Sequence, residues 1–113
     1  MELVMIDKLT IIIKWKEFIN RYEDLIYNVP NKYKVIKNKI FDNMYDILEN
    51  IYYCNLLEKN KRINYQRKII CSIKILDYYF NKLLLYRAIT LINYNKLSKD
   101  LEIMLKLLYA WSN

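Results

Sequence analysis

The segment YNVPNKYK, residues 27–34, contains Pro30, the only proline of a 113-residue chain that has no glycine. Proline disfavours the helical conformation in the residue before it, so a helix that reaches this segment must end close to Val29. Tight hairpins need residues that accept positive φ, chiefly glycine, and the lack of glycine disfavours a β-rich fold. The sequence therefore predicts a single domain over residues 1–113, built from helices that are joined by short polar corners.

Apolar residues recur every three to four positions on both sides of this proline, which is the spacing of an amphipathic helix. The predicted helices cover about residues 2–28, 33–58, 65–91 and 93–113. Asn93 or Asn95 is predicted to cap the start of the fourth helix. Because short corners place consecutive helices side by side and antiparallel, the predicted fold class is all-α, an antiparallel up-down four-helix bundle about 40 Å long.

The apolar stripe of each predicted helix defines the predicted core, and a second set of apolar residues falls outside the stripes. The core positions are Ile6, Leu9, Ile13, Ile19, Tyr22, Ile26, Ile36, Ile40, Met44, Ile47, Leu48, Ile51, Ile69, Ile73, Leu76, Phe80, Leu83, Leu84, Leu97, Leu101, Met104, Leu105 and Leu108. The second set is Ile11, Trp15, Ile75, Tyr79, Tyr86 and Tyr109. A rod with apolar residues left over is expected to bury a second face against copies of itself.

Residue types that many enzymes need are missing from the sequence. The chain has no histidine and no glycine, so a Ser-His-Asp triad, a Cys-His pair or a glycine-rich phosphate loop cannot form. We therefore predict no enzymatic activity, no metal site and no cofactor. Cys54 and Cys71 lack the spacing of a metal site and are predicted to be buried free thiols.

The sequence also predicts a cytoplasmic protein that is not inserted in a membrane. No apolar run approaches the ~18 residues that cross a bilayer. The first ten residues, MELVMIDKLT, contain Glu2 and Asp7, unlike the basic start of a secretory signal.

The charge balance favours an anionic partner. The formal net charge is +7, from 19 Lys and Arg against 12 Asp and Glu, and residues 29–41 and 59–76 contain no acid at all. Cations without acidic neighbours have charge available for phosphates. These cations are Lys32, Lys34, Lys37, Lys39, Lys59, Lys61, Arg62, Arg67, Lys68 and Lys74.

A solvated corner is the alternative explanation of the same cations. Lysine, like the abundant Asn, Ile and Tyr, is encoded by codons of A and T alone, so part of its excess can reflect codon usage. Codon usage does not explain Arg62 and Arg67, which are the more informative cations. Residues 60–64, NKRIN, are predicted to form the corner between the second and third helices. The step of seven residues from Arg67 to Lys74 could join the two basic segments into one lateral stripe.

The 12 tyrosines raise a further possibility, because a tyrosine ring can stack on an exposed base for about 1–3 kcal/mol. The doublets at residues 52–53 and 78–79 favour a packing role instead. In each doublet one ring is expected at a core or subunit contact while its neighbour points elsewhere.

The segment KWKEFINRYEDLIYNVPNKYKVIKNKIFDNMYDILENIYYCN, residues 14–55, resembles the opening half of a family of small four-helix bundles. The family includes the accessory variability proteins (Avd) of diversity-generating retroelements and proteins encoded by intervening sequences in large-subunit ribosomal RNA genes. Its first helix ends at a proline-containing corner followed by basic residues, as VPNKYK does here. Its second helix carries a basic residue before an apolar one, as Lys39 and Ile40 are. The closing LSKDLEIMLKLLYAW is similar to its final helix, which ends in a small residue and tryptophan, here Ala110 and Trp111.

For the retroelement branch, this resemblance implies a homopentameric barrel with a positive surface. Such a barrel binds the reverse transcriptase of the element and its template RNA, or an RNA–DNA hybrid, and supports mutagenic complementary-DNA synthesis without performing the chemistry. The residues expected to contact nucleic acid are Lys37, Lys39, Lys59, Lys61, Arg62, Arg67, Lys68 and Lys74. Two alternatives stay open: a ribosomal-intervening-sequence bundle without a reverse transcriptase partner, and a structural module that binds an acidic protein through the same cations.

Overall fold

The computed structural model describes residues 2–112, with side chains for residues 10–111. The helices are α1 (Glu2–Tyr27), α2 (Lys34–Leu56), α3 (Lys59–Leu85) and α4 (Leu91–Ser112), with a 3-10 turn at Asn31–Tyr33 before α2. The predicted helix boundaries lie close to these, except for α3, which begins and ends six residues earlier than predicted.

The four helices form a square bundle in which α1 and α3 each pack against both α2 and α4. Hydrogen bonds between neighbouring helices help to set their relative positions along the bundle axis. Trp15 Nε1 on α1 donates to the Met44 carbonyl on α2 at 2.9 Å, and Asn43 Nδ2 on α2 donates to the Ser72 carbonyl on α3 at 3.2 Å. The bundle measures 46 × 23 × 19 Å. The predicted elongated four-helix bundle is therefore confirmed. Over the described residues, no helix combines the length and the apolarity that a bilayer span requires.

The predicted core positions of α2, α3 and α4 are buried or packed against the core, but those of α1 need correction. Ile13 is 54% exposed, whereas Ile11 and Trp15, which were assigned to a second face, are fully buried. The buried stripe of α1 advances in steps of four, three, four and four residues: Ile11, Trp15, Phe18, Tyr22 and Ile26. These steps stay on one face, while Ile13 lies about 200° around the helix from Ile11. The predicted positions Ile6 and Leu9 lie outside the described side chains.

The corner between α2 and α3 consists of Leu57 and Glu58 alone, which have extended ψ angles of 152° and 150°. Extended backbone is open to any residue, so this corner needs neither glycine nor proline. Arg62 Nε donates to the Leu57 carbonyl at 2.8 Å, and the Lys61 N–H donates to the Glu58 carbonyl at 2.9 Å. Residues 60–64, predicted to be this corner, instead lie in the first turns of α3.

The two cysteines differ in exposure. Neither cysteine is in a disulfide, and Cys54 is buried whereas Cys71 is exposed. The predicted burial of Cys71 is wrong because Ile70 and Ile73 occupy the core-facing positions on either side of it.

The corner between α3 and α4 begins with a Schellman motif in which arginine stands where glycine is usual. The Ala88 N–H donates to the Leu83 carbonyl at 2.8 Å, and the Arg87 N–H donates to the Leu84 carbonyl at 2.9 Å. Arg87 has a φ of 58°.

Ile89 of this corner is buried. α4 begins at Leu91, directly after Thr90. Thr90 Oγ1 accepts a hydrogen bond from the Asn93 N–H at 3.1 Å. Thr90 therefore caps α4, and the predicted caps Asn93 and Asn95 are wrong because both lie inside the helix.

Replacing Arg87 with glycine should raise the free energy of unfolding by about 0.5–1 kcal/mol, because a left-handed φ costs a residue with a Cβ about 1–2 kcal/mol and the larger chain entropy of glycine offsets part of the gain. Urea denaturation followed by circular dichroism measures the change. The matched control is Arg67→Gly, an exposed position inside α3, which should lose about 1 kcal/mol. A loss of stability in both variants would contradict the assignment of strain to Arg87.

Candidate nucleic-acid interface

The two basic segments predicted to contact nucleic acid lie at opposite ends of the bundle. Lys37 and Lys39 are in the first two turns of α2, beside the corner that follows α1, whereas Lys59 and Lys61 are in the first turn of α3. Since the two sites lie at opposite ends of α2, which has 23 residues, they are separated by about 30 Å at ~1.5 Å per residue. The eight predicted residues therefore do not form one cluster.

Two of the predicted residues hold helix ends in place. Lys37 Nζ donates to the carbonyls of Tyr27 and Val29, the latter at 3.1 Å, and so binds the end of α1. Arg62 Nε bonds to the carbonyl that follows α2, as described above. The last carbonyls of a helix have no partner within the helix, so each of these cations fills a structural role. Both side chains are only half-buried, which leaves their other donors available to a ligand.

The remaining predicted cations face different grooves. Lys39 and Lys68 line the hollow between α2 and α3, together with Asp42, Asp46 and Glu49. Lys74 lies on the other side of α3, in the groove against α4, beside Asp77 and Glu102. Arg67 is exposed on α3. The structure therefore brings the two basic segments together at Lys39 and Lys68, but carboxylates lie among the cations of both grooves.

A basic region that the sequence analysis missed lies at the end of the bundle where the α1–α2 and α3–α4 corners meet. Residues 78–99 contain no acid, and this signal was present in the sequence. The stacked rings of Tyr33 and Tyr86, with centroids 5.2 Å apart and planes 3° apart, bring this segment against residues 25–41, which also contain no acid. The cations of the two segments are Lys32, Lys34, Lys37, Lys39, Lys82, Arg87, Lys96 and Lys99. We call this end of the bundle, residues 27–39 and 78–92, the corner pole.

Tyrosine rings and lysine ammonium groups alternate across the corner pole. Lys32 Nζ lies 5.1 Å from the ring centroid of Tyr33, whose hydroxyl donates to the Tyr86 carbonyl at 3.3 Å. Lys82 Nζ lies 5.7 Å from the ring of Tyr78 and 5.8 Å from that of Tyr86. The two phenols raise the pKa of Lys82, so its ammonium stays charged at neutral pH. Cation–π contacts of this kind contribute about 0.5–1 kcal/mol each at exposed positions and so favour this mutual arrangement of rings and charges.

The acid that ends the segment of residues 78–99 is already paired. Asp100 accepts a hydrogen bond from Arg21 at 2.8 Å and one from the Tyr22 hydroxyl at 2.5 Å. Burial, and then the hydrogen bond to Asp100, raise the pKa of Tyr22 to about 12, so the phenol remains a neutral donor. The negative charge of Asp100 is thus compensated by Arg21 and does not oppose the cations of the corner pole.

Comparison of the chain with protein-family models, with curated proteins and with solved structures gives no match. In the part of the chain that the structure describes, no group of three or more His, Cys, Asp or Glu side chains is placed to hold a metal ion. The arrangement can offer phosphates a set of unopposed cations and offer bases a set of oriented aromatic rings.

Proposed function

We propose that this chain is a non-catalytic RNA-binding protein and that its corner pole contacts the RNA. The observation that carries the proposal is the meeting of two acid-free segments at one end of the bundle, joined by the stack of Tyr33 on Tyr86. Cations that neutralise phosphates release condensed counterions, and this release supplies most of the affinity for a nucleic acid. The corner pole itself contains no Asp or Glu, although Lys39, at its edge, also lines a hollow that holds carboxylates.

We further propose that the chain acts as an accessory protein of a retroelement reverse transcriptase, which is what its resemblance to the Avd family implies. In this role it binds the enzyme and the template RNA, or an RNA–DNA hybrid, and supports mutagenic complementary-DNA synthesis. Assembly into a homo-oligomer, the pentamer of that family, is part of the proposal. Ile75 on α3 and Ile103 on α4 remain 42% and 43% exposed and support such an assembly, which light scattering on the purified protein measures.

The purified protein should bind structured RNA at ~0.15 M salt, with a dissociation constant that rises steeply as salt is added. Its logarithm should increase linearly with the logarithm of the salt concentration, because each neutralised phosphate releases counterions. Fluorescence anisotropy with a labelled RNA measures the dissociation constant and its salt dependence. Co-purification with a reverse transcriptase encoded beside the gene tests binding of the second partner. Failure of both measurements would refute the proposed function; binding of RNA without the enzyme would favour the ribosomal-intervening-sequence type of bundle.

A structural module that binds an acidic protein is the second candidate, favoured by the exposure of Arg67 and Lys74 away from the corner pole. Replacing Arg67 and Lys74 together would then abolish the protein complex and spare RNA binding, with Arg62 left in place because it binds the Leu57 carbonyl. A neighbouring reverse transcriptase gene, with paired template and variable repeats, would favour the retroelement accessory protein over the structural module.

A further inference from the structure

A hollow at the corner pole lies between the end of α1 and the start of α2. It is lined by two aromatic rings, three amides and two ammonium groups, together with Val29 and Pro30 of the proline corner. The rings are those of Tyr27 and of the partly buried Phe41, and the polar side chains are Asn28, Asn31, Lys34, Lys37 and Asn38. No Asp or Glu lines the hollow.

The ring of Tyr27 is oriented by a contact with a lysine and is also exposed to solvent. Lys37 Nζ lies 5.0 Å from the ring centroid and is itself held by the carbonyls of Tyr27 and Val29. Tyr27 nevertheless remains 72% exposed. A ring whose position is set in advance loses little conformational entropy when a ligand stacks on it. Tyr27 therefore has the properties of a stacking platform with an ammonium group over one face of its ring.

The three asparagines supply hydrogen-bonding groups of both kinds. Each amide carries an acceptor oxygen and a donor NH₂ group, the combination needed to pair with the edge of a base. Among the hydrogen bonds of the described residues, none involves the side chain of Asn28, Asn31 or Asn38. Lys34 and the remaining donor of Lys37 lie within the same hollow and can contact a phosphate.

We propose that this hollow binds one unpaired nucleotide, with its base stacked on Tyr27, its edge against the asparagine amides, and its phosphate near Lys34 and Lys37. The inference rests on the proposed RNA-binding function and deepens it, because it names single-stranded RNA as the preferred ligand. Bases inside a duplex already stack on their neighbours and present only their edges, so they cannot cover the ring of Tyr27.

An anionic membrane surface is the competing ligand for this end of the molecule. Leu85, Leu91 and Ile92 are 60–72% exposed at the neighbouring α3–α4 corner, and apolar side chains beside cations suit a lipid surface. Affinity for an anionic membrane depends on exposed apolar area and positive charge alone. It does not require a ring plane that is fixed by an ammonium group or amides that are free to pair, and the hollow provides both. These features favour a nucleotide.

The test compares Tyr27→Leu with the matched control Tyr52→Leu. Tyr52 is also exposed and also has a lysine beside its ring, with Lys16 Nζ at 5.1 Å, but it lies on α2 outside the corner pole. Fluorescence anisotropy is measured with a single-stranded RNA of about 12 nucleotides and with the same strand annealed to its complement. Wild type should bind the single strand more tightly than the duplex. Tyr27→Leu should weaken binding of the single strand about 10-fold and remove the preference, whereas Tyr52→Leu and Tyr27→Phe should bind like wild type.

The outcomes separate this inference from the proposed function. Equal binding of single strand and duplex by wild type, unchanged in Tyr27→Leu, overturns the nucleotide site and leaves RNA binding by the corner pole standing. Absence of binding to either RNA overturns both. The site is also overturned if Tyr52→Leu weakens binding of the single strand as much as Tyr27→Leu does. It is likewise overturned if Tyr27→Leu weakens binding to phosphatidylserine vesicles as much as it weakens binding to the single strand.

Discussion

Replacing Trp15 with alanine should lower the free energy of unfolding by about 3–5 kcal/mol, the range for removing a large aromatic side chain from a core. Trp15 is fully buried, and its ring stacks on Phe18 with centroids 4.8 Å apart and planes 9° apart. Its indole N–H also donates to the Met44 carbonyl at 2.9 Å and so connects α1 to α2. A domain of this size has a total stability of about 5–15 kcal/mol, so the loss removes a large share of it. Urea denaturation followed by circular dichroism measures the difference.

The matched control is Ile13→Ala, two residues earlier on α1. Ile13 is 54% exposed, and substitutions at exposed positions usually change stability by less than about 0.5 kcal/mol. Trp15→Phe keeps an aromatic ring against Phe18 but removes the hydrogen bond to Met44, so it should cost less than Trp15→Ala. Similar losses for Ile13→Ala and Trp15→Ala would mean that Ile13 is buried too, and hence that this face of α1 is covered by another copy of the chain.

The fold was predictable from the sequence because its signals are local. The apolar period of α2, α3 and α4 identified their core faces, and Pro30 marked the first corner. The errors have specific physical causes. Ile13 was placed in the core because the period was followed through a run of three isoleucines, residues 11–13, in which composition alone does not show which one faces inward. The α2–α3 corner was misplaced because Leu57 and Glu58 are ordinary residues in extended conformation and carry no turn signature.

The site was predictable only in part, because it depends on which segments the fold brings together. The acid-free segment of residues 29–41 was visible in the sequence, and its partner, residues 78–99, was equally visible as a run without Asp or Glu. The sequence alone did not show that Tyr33 would stack on Tyr86. It also did not show that Lys37 and Arg62, two of the predicted contacts, would bind the carbonyls at helix ends. The pairing of Tyr33 with Tyr86 joins residues distant in sequence and is set by packing, which the local patterns do not encode. The contacts of Lys37 and Arg62 are local, but they depend on the residues at which α1 and α2 end.

Replacing Lys32, Lys34, Lys82 and Arg87 with glutamine together should weaken RNA binding about 100-fold at ~0.15 M salt and reduce the salt slope by about 3. Each of these residues lies on the corner pole, and none of them donates a side-chain hydrogen bond that holds a described helix end. Each phosphate contact in a single strand contributes about 0.7 to the slope, so the loss of four contacts sets the expected change. Fluorescence anisotropy across a salt series measures the affinity and the slope in the same experiment.

The matched control replaces Lys59, Lys61, Arg67 and Lys68 with glutamine in the first half of α3, away from the four cations replaced at the corner pole. All four are exposed, and this variant loses the same amount of positive charge as the corner-pole variant. Arg62 is left unchanged because it binds the Leu57 carbonyl, so stability should be preserved. The Debye length is about 8 Å at 0.15 M salt, far shorter than the 46 Å bundle, so charges at one end have little effect on phosphates bound at the other.

The two variants therefore discriminate between an RNA interface confined to the corner pole and a general attraction of RNA by the net charge of the protein. If the corner pole is the interface, the control should bind RNA within a few-fold of wild type and keep its salt slope. Equal losses in both variants would show that RNA contacts the whole length of the bundle. A larger loss in the control would transfer the interface to the start of α3. That result would restore Lys59, Lys61, Arg67 and Lys68 as the principal contacts, as the acid-free run of residues 59–76 predicts.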